Sequence, residues 1–112
     1  FHVPAPLAPE QRAPDSIQFN LVGMDEAATR AFAAAAAENG VKVQVFGLSK
    51  DNARAFWNWQ FLRDLPELPQ TRDMLMKACD VRLPVRLTRE ELDVIADILL
   101  AAASDTMSKA AA

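Results

Sequence analysis

The sequence predicts an α+β fold: a two-layer sandwich in which a small, mainly antiparallel sheet of three or four strands carries helices on one face. Three runs of alternating apolar residues predict the sheet, namely Ile17-Phe19-Leu21, Val41-Val43-Val45 and Val81-Leu83-Val85. Each has one apolar face, the mark of strands buried on one side only. Helix-forming segments separate and follow these runs, which supplies the second layer.

Residues 1–14 hold four of the seven prolines, at positions 4, 6, 9 and 14. Each fixes φ and removes an N–H donor, so the stretch is expected to run as an extended arm or linker. From Ser16 the period-two pattern begins, and Gly23 ends it. Met24 to Asn39 reads as a helix, with Asp25 and Glu26 at its positive end and Asn39-Gly40 as its stop. Ala33 to Ala37 give it high propensity and a thin side-chain layer. A strand over Val41–Val45 follows and ends at Gly47.

The segment from Leu48 to Leu68 is irregular. Asp51-Asn52 offers a cap for a short helix, and both tryptophans, Trp57 and Trp59, lie between Phe56 and Phe61. Pro69 suits a first helical turn, so a helix is expected from Pro69 to about Ala78. In the third strand Pro84 has no N–H and marks a strand end, an edge or a bulge. Thr88 and Glu91 form a capping box, with Leu87 and Leu92 as its apolar staple. The final helix places Leu92, Ile95, Ala96, Leu99 and Ala103 on one face. Residues 104–112 lack that periodicity and are expected to fray, which bounds the domain at 15–103.

Composition excludes several functions. The 112 residues are 51% hydrophobic, and Lys+Arg 12 against Asp+Glu 15 gives a net charge of -3. Clustered phosphate contacts are therefore not expected, and no nucleic-acid partner is predicted. With Cys79 as the one cysteine, an internal disulfide is impossible. No apolar run reaches membrane-spanning length, and no targeting segment follows Phe1; a cytoplasmic chain without a membrane partner is expected. Much of the apolar share is alanine, so the core rests on the larger aliphatic and aromatic residues.

The three glycines stand apart and build no phosphate loop. One histidine and one cysteine, distant in sequence, predict no metal site. Cys79 reads as a small buried hydrophobe and His2 as an inert arm residue. Asp25-Glu26 and Glu90-Glu91 occupy first turns, where capping and the helix dipole explain them. Arg82 and Arg86 share a polar strand face that could meet an anion or merely water. The segment with Arg54, Trp57, Asn58 and Trp59 is the candidate binding site, since it joins broad apolar rings to hydrogen-bonding groups. The same tryptophans could instead cover one end of an alanine-thin core, and the sequence leaves both readings open.

Three stretches carry a resemblance: DSIQFNLV from Asp15 to Val22, NGVKVQV from Asn39 to Val45, and DVRLPVRLTREELDVIAD from Asp80 to Asp97. In that order the chain resembles the C-terminal small domain of fold-type I pyridoxal-phosphate-dependent aminotransferases, closest to the DegT type that aminates keto-sugars and keto-cyclitols. The resemblance covers most of this chain but only the last part of a full family member. It implies amino transfer from an amino acid to a ketone through pyridoxamine phosphate, a large cofactor-binding domain of the same chain as partner, a homodimeric parent and a small-molecule substrate. It also places the cofactor's lysine and phosphate ligands in the large domain. Lys42, Lys50, Lys77 and Lys109 match no family motif, and no catalytic, cofactor or metal residue is assigned within the segment. On this reading the chain is inert alone, the start at Phe1 and the proline arm reflect a cut near a domain boundary, and Arg54, Trp57, Asn58 and Trp59 lie near the substrate entrance. The stretch from Phe46 to Trp59 departs from the sugar aminotransferases in lacking a histidine, which points to a divergent subgroup. The competing expectation is a free-standing binding or interaction module of split β-α-β type that uses the Trp57/Trp59 patch.

Overall fold

Asp25 turns the chain into its first helix. Its backbone is extended and its side chain accepts the Ala28 N–H at 2.8 Å, satisfying one of the donors a helix start leaves open. A computed structural model describes residues 1–5 and 15–111. It contains β1 (Ser16–Asn20), α1 (Glu26–Glu38), β2 (Gln44–Val45), a 3₁₀ turn at Phe56–Asn58, α2 (Pro69–Leu75), β3 (Ala78–Arg82) and α3 (Arg89–Ala111). The sheet order is β1-β3-β2, with both outer strands antiparallel to β3. The fold is therefore α+β, with three helices and a three-stranded antiparallel sheet. β1, α1 and β2 form a crossover whose two strands are split apart by β3.

Register explains the core. Ile17 faces Val81 and Phe19 faces Cys79, while Val45 faces Cys79 from the other side. That row meets Phe32 and Ala36 from α1 and Leu99 and Ala102 from α3. Alanines in α1 allow the two helices to pack closely against each other. Phe1 closes one end, edge-on to Phe19 at 5.1 Å and to Phe32 at 5.8 Å. His2 pairs with Asn20 through two backbone hydrogen bonds, so the start of the arm runs extended beside the end of β1. The remainder of the expected proline arm, residues 6–14, lies outside the described residues.

Four expectations are corrected. The strand expected over Val41–Val45 pairs only at Gln44–Val45. Its start is occupied by the end of α1: Gly40, at φ +87, donates to the Ala37 carbonyl and Val41 donates to Ala36. This is a Schellman closure, and it uses the Val41 N–H that a ladder would need. The helix expected to reach Ala78 stops at Leu75, and β3 starts at Ala78, ahead of the apolar run that announced it. The strand end expected at Pro84 forms, with the Leu83 N–H donating to the Asp15 carbonyl opposite it at 2.9 Å, but Val85, expected in the same apolar run, is left 89% exposed. Lastly, residues 104–111 do not fray, because α3 continues to Ala111. Thr106 is buried and its hydroxyl donates to the Ala102 carbonyl at 2.8 Å. The inner face continues through small residues, which apolar periodicity does not register.

The capping box forms as expected. The Thr88 N–H donates to Glu91 Oε2 at 2.8 Å, and the Glu91 N–H donates to Thr88 Oγ1 at 3.2 Å. Among the described residues no helix is long and apolar enough to cross a membrane. Replacing Thr88 by alanine removes one half of this reciprocal pair. Urea denaturation of Thr88→Ala is expected to show a loss of about 1 kcal/mol, and an unchanged midpoint would contradict a stabilising cap.

Candidate functional site

β2 is short, and the chain leaves it through Gly47. A Cβ there would sit 2.9 Å from both the Cα and the N of Met76, so only glycine permits this approach. The Gly47 N–H donates to the Leu75 carbonyl at 2.8 Å, fixing the departing segment beside the end of α2. Buried Phe46, Phe56 and Leu75 then form a small second core with Trp57 and Ala78 against it.

Local polar bonds shape the loop beyond Gly47. Buried Asn52 accepts the Arg54 N–H at 2.8 Å, an Asx turn. Asn58 Nδ2 donates to the Ser49 and Asn52 carbonyls, each at 2.9 Å. Both protons of that amide are therefore used within the segment. The Trp59 indole N–H donates to the Ala53 carbonyl, and its ring stacks on Phe61 with centroids 5.5 Å apart.

These bonds divide the four sequence candidates. Trp57 stands edge-on to Phe56 at 5.1 Å and lines a cleft of about 330 Å³ together with Leu65, Leu68, Pro69 and Arg72. Arg54 lies over the Phe46 ring, 4.5 Å from its centroid, on the same small core. Asn58 holds the loop together and Trp59 covers it. Of the four, Trp57 lines the cleft, while Arg54 is exposed outside it.

Arg72 is the cleft residue that the sequence did not single out. Its guanidinium lies 4.4 Å from the Trp57 ring centroid, from the last turn of α2. Stacking on an aromatic face orients the planar fork while leaving its N–H edges open. Among the described residues, neither Arg54 nor Arg72 forms an ion pair, whereas Arg30 pairs with Glu26 and Arg82 with Asp15. The cleft thus combines an indole, aliphatic walls, the Arg72 cation and the carboxylate residue Glu67, a makeup suited to a ring-bearing or chain-like ligand with polar groups. The signal available in sequence was an arginine on the helix directly after the aromatic segment.

The other sequence features have structural roles. Asp25 and Glu91 cap helices, and Glu26 pairs with Arg30 at 2.7 Å. Burial pushes the Cys79 thiol up from 9.0 to about 12, and its Sγ–H donates to the Lys77 carbonyl. A lysine that anchors pyridoxal phosphate needs a desolvated amine. Lys42, Lys50 and Lys109 are exposed and half-buried Lys77 pairs with Asp73 at 2.8 Å. Family models, curated proteins and solved structures were compared with the chain, and none matches.

Two outcomes test this site. Asn58→Ala removes two hydrogen bonds, although the Ser49 and Asn52 carbonyls keep the Asn52 and Ala55 N–H donors, and its expected cost is about 1–3 kcal/mol in urea denaturation; a neutral result would contradict its structural role. For Cys79, native and unfolded chains both hold the proton below pH 9.0. Above that pH the unfolded thiol ionises first, so stability falls as pH rises toward about 12. Native Cys79 is expected to resist a thiol-alkylating reagent at pH 8 and to react on unfolding. Rapid native labelling would show an accessible thiolate.

Proposed function

We propose that the chain is the small domain of a cytoplasmic, homodimeric pyridoxal-phosphate-dependent aminotransferase, where it shapes the substrate pocket and closes the active site. The observation that carries this reading is convergence. The three stretches that bear the resemblance are far apart in sequence, yet they form β1, the turn into β2, and β3 with the entry to α3. They meet in one sheet through the row Gln18–Asp80–Gln44. The segment leaving β2, which in the resembling family leads to the substrate, is the one that holds Trp57 and Arg54.

A second observation supports attachment to a larger body. Val22, Leu100 and Met107 are 67%, 57% and 45% exposed, and together with Phe1 they line one apolar groove. A strip of that kind is a candidate surface for another domain. The chain's own contribution is recognition, through Trp57 and the Arg72 stacked on it in a cleft that Glu67 also lines, with Arg54 nearby on the Phe46 ring. The amine chemistry and the cofactor's anchor belong to the large domain, so these residues alone are inert.

The test is to express the whole reading frame that contains this sequence and assay amino transfer from glutamate or glutamine to ketones. A saturable pyridoxal-phosphate absorbance band is expected for the whole product and none for these 112 residues alone. In the whole product, Trp57→Ala is expected to raise KM for the ketone roughly tenfold with a smaller effect on kcat. A whole product without saturable cofactor binding would overturn the reading, as would a Trp57→Ala variant with unchanged KM.

A further inference from the structure

At the start of β2, the end opposite Trp57, the sheet opens. The β2–β3 ladder ends at the pair Gln44–Asp80. Beyond it, the Schellman closure of α1 holds Val41, and the two chains diverge around a cleft of about 450 Å³. Its wall carries Lys42, Gln44, Asp80 and Arg82, and its apolar lining includes Val41, Leu87 and Ile95.

Asp80 is the anomaly in this wall. Its side chain is only 4% exposed, and Oδ1 has no hydrogen-bond partner among the described residues. Arg82 Nε forms a long ion pair with Oδ2 at 3.8 Å, beyond hydrogen-bond reach, so Oδ1 is the oxygen left without a donor. A buried carboxylate ordinarily has its acceptors filled, because leaving one empty is costly. An ammonium group meets that need, having three donors and the opposite charge. A carboxyl group turns readily about its terminal torsion, which lets either oxygen face a ligand on the cleft side.

The surroundings define the remainder of the ligand. Lys42 is exposed at the rim, and Arg82 is 75% exposed there while pairing with Asp15 at 3.3 Å. An anion set deep, cations at the rim and an aliphatic lining complement a zwitterion with an apolar side chain. Among the described residues no group of three or more His, Cys, Asp or Glu could hold a metal ion, so a divalent cation fits the cleft less well. We propose that this cleft binds a free α-amino acid with an aliphatic side chain: its ammonium meets Asp80, its carboxylate meets Lys42 and Arg82, and its side chain lies on Leu87 and Ile95. The proposal stands independently of the aminotransferase reading.

Titration of the whole 112-residue chain, followed by amide NMR, separates the contributions. L-leucine is expected to shift the signals of Lys42, Gln44, Asp80 and Arg82 saturably. Leucinamide, which lacks the carboxylate, is expected to bind about tenfold more weakly, and 4-methyl-2-oxopentanoate, which lacks the ammonium, about a hundredfold more weakly. Asp80→Asn keeps the shape and removes the charge. It is expected to lose the preference for leucine over the oxo acid while keeping the dispersed amide spectrum of the folded chain. No saturable leucine shift at tens of millimolar would overturn the proposal. So would equal binding of the oxo acid to the wild-type chain, or leucine preference retained in Asp80→Asn.

Discussion

Among the described residues every strand depends on β3, the last of the three. β1 and β2 do not pair with each other, and among the described residues each forms its ladder on Ala78–Arg82, with one further bridge from Asn20 to His2. Cys79 sits where those ladders cross, facing Phe19 on one side and Val45 on the other. The sheet therefore cannot close until the chain has passed the aromatic segment and α2. Such non-local pairing has an entropic cost that local contacts do not share. Strong local signals offset it: the Asp25 cap, the Schellman stop at Gly40 and the reciprocal cap of Thr88 and Glu91 fix both long helices without help from the sheet.

The same arrangement produces the two clefts. β2 is pulled in opposite directions, toward α1 at its start and toward α2 at its end. The Val41 N–H belongs to the α1 closure, and the Gly47 N–H belongs to Leu75. Two residues of strand remain between them. At one end the sheet opens beside Asp80, and at the other the loop folds over Phe46 and presents Trp57 beside Arg72. A longer β2 would close the first cleft and displace the second.

Legibility in the sequence followed the range of the interaction. The cap of α1, the Gly40 stop, Pro69 at the first turn of α2 and the capping box of α3 are local, and each was readable from neighbouring residues. Strand limits were not, because they depend on which N–H groups are already occupied. Val41 looks like a strand residue and is one in pattern alone. Val85 continues the apolar alternation but follows Pro84 into a turn and is exposed. Thr106 is buried although its polarity suggested a frayed end. In the candidate site, the aromatic segment was visible as a concentration of rings, but its internal division was not. Asn58 is used by the loop itself, and Arg72 reaches Trp57 from another helix. The unfilled Oδ1 of Asp80 was the least legible feature, since an aspartate in a strand gives no sign of its burial or its partners.

The central claim is that β3 joins both outer strands and that the sheet then opens past Gln44–Asp80. Cross-strand backbone NOEs on a labelled sample test it directly. Asp80 should show contacts to both Gln18 and Gln44, and Arg82 should show contacts to Ser16 with none to Lys42. A cross-strand contact between Arg82 and Lys42 would mean that the ladder continues and the cleft is closed, and direct β1–β2 contacts would contradict the central place of β3.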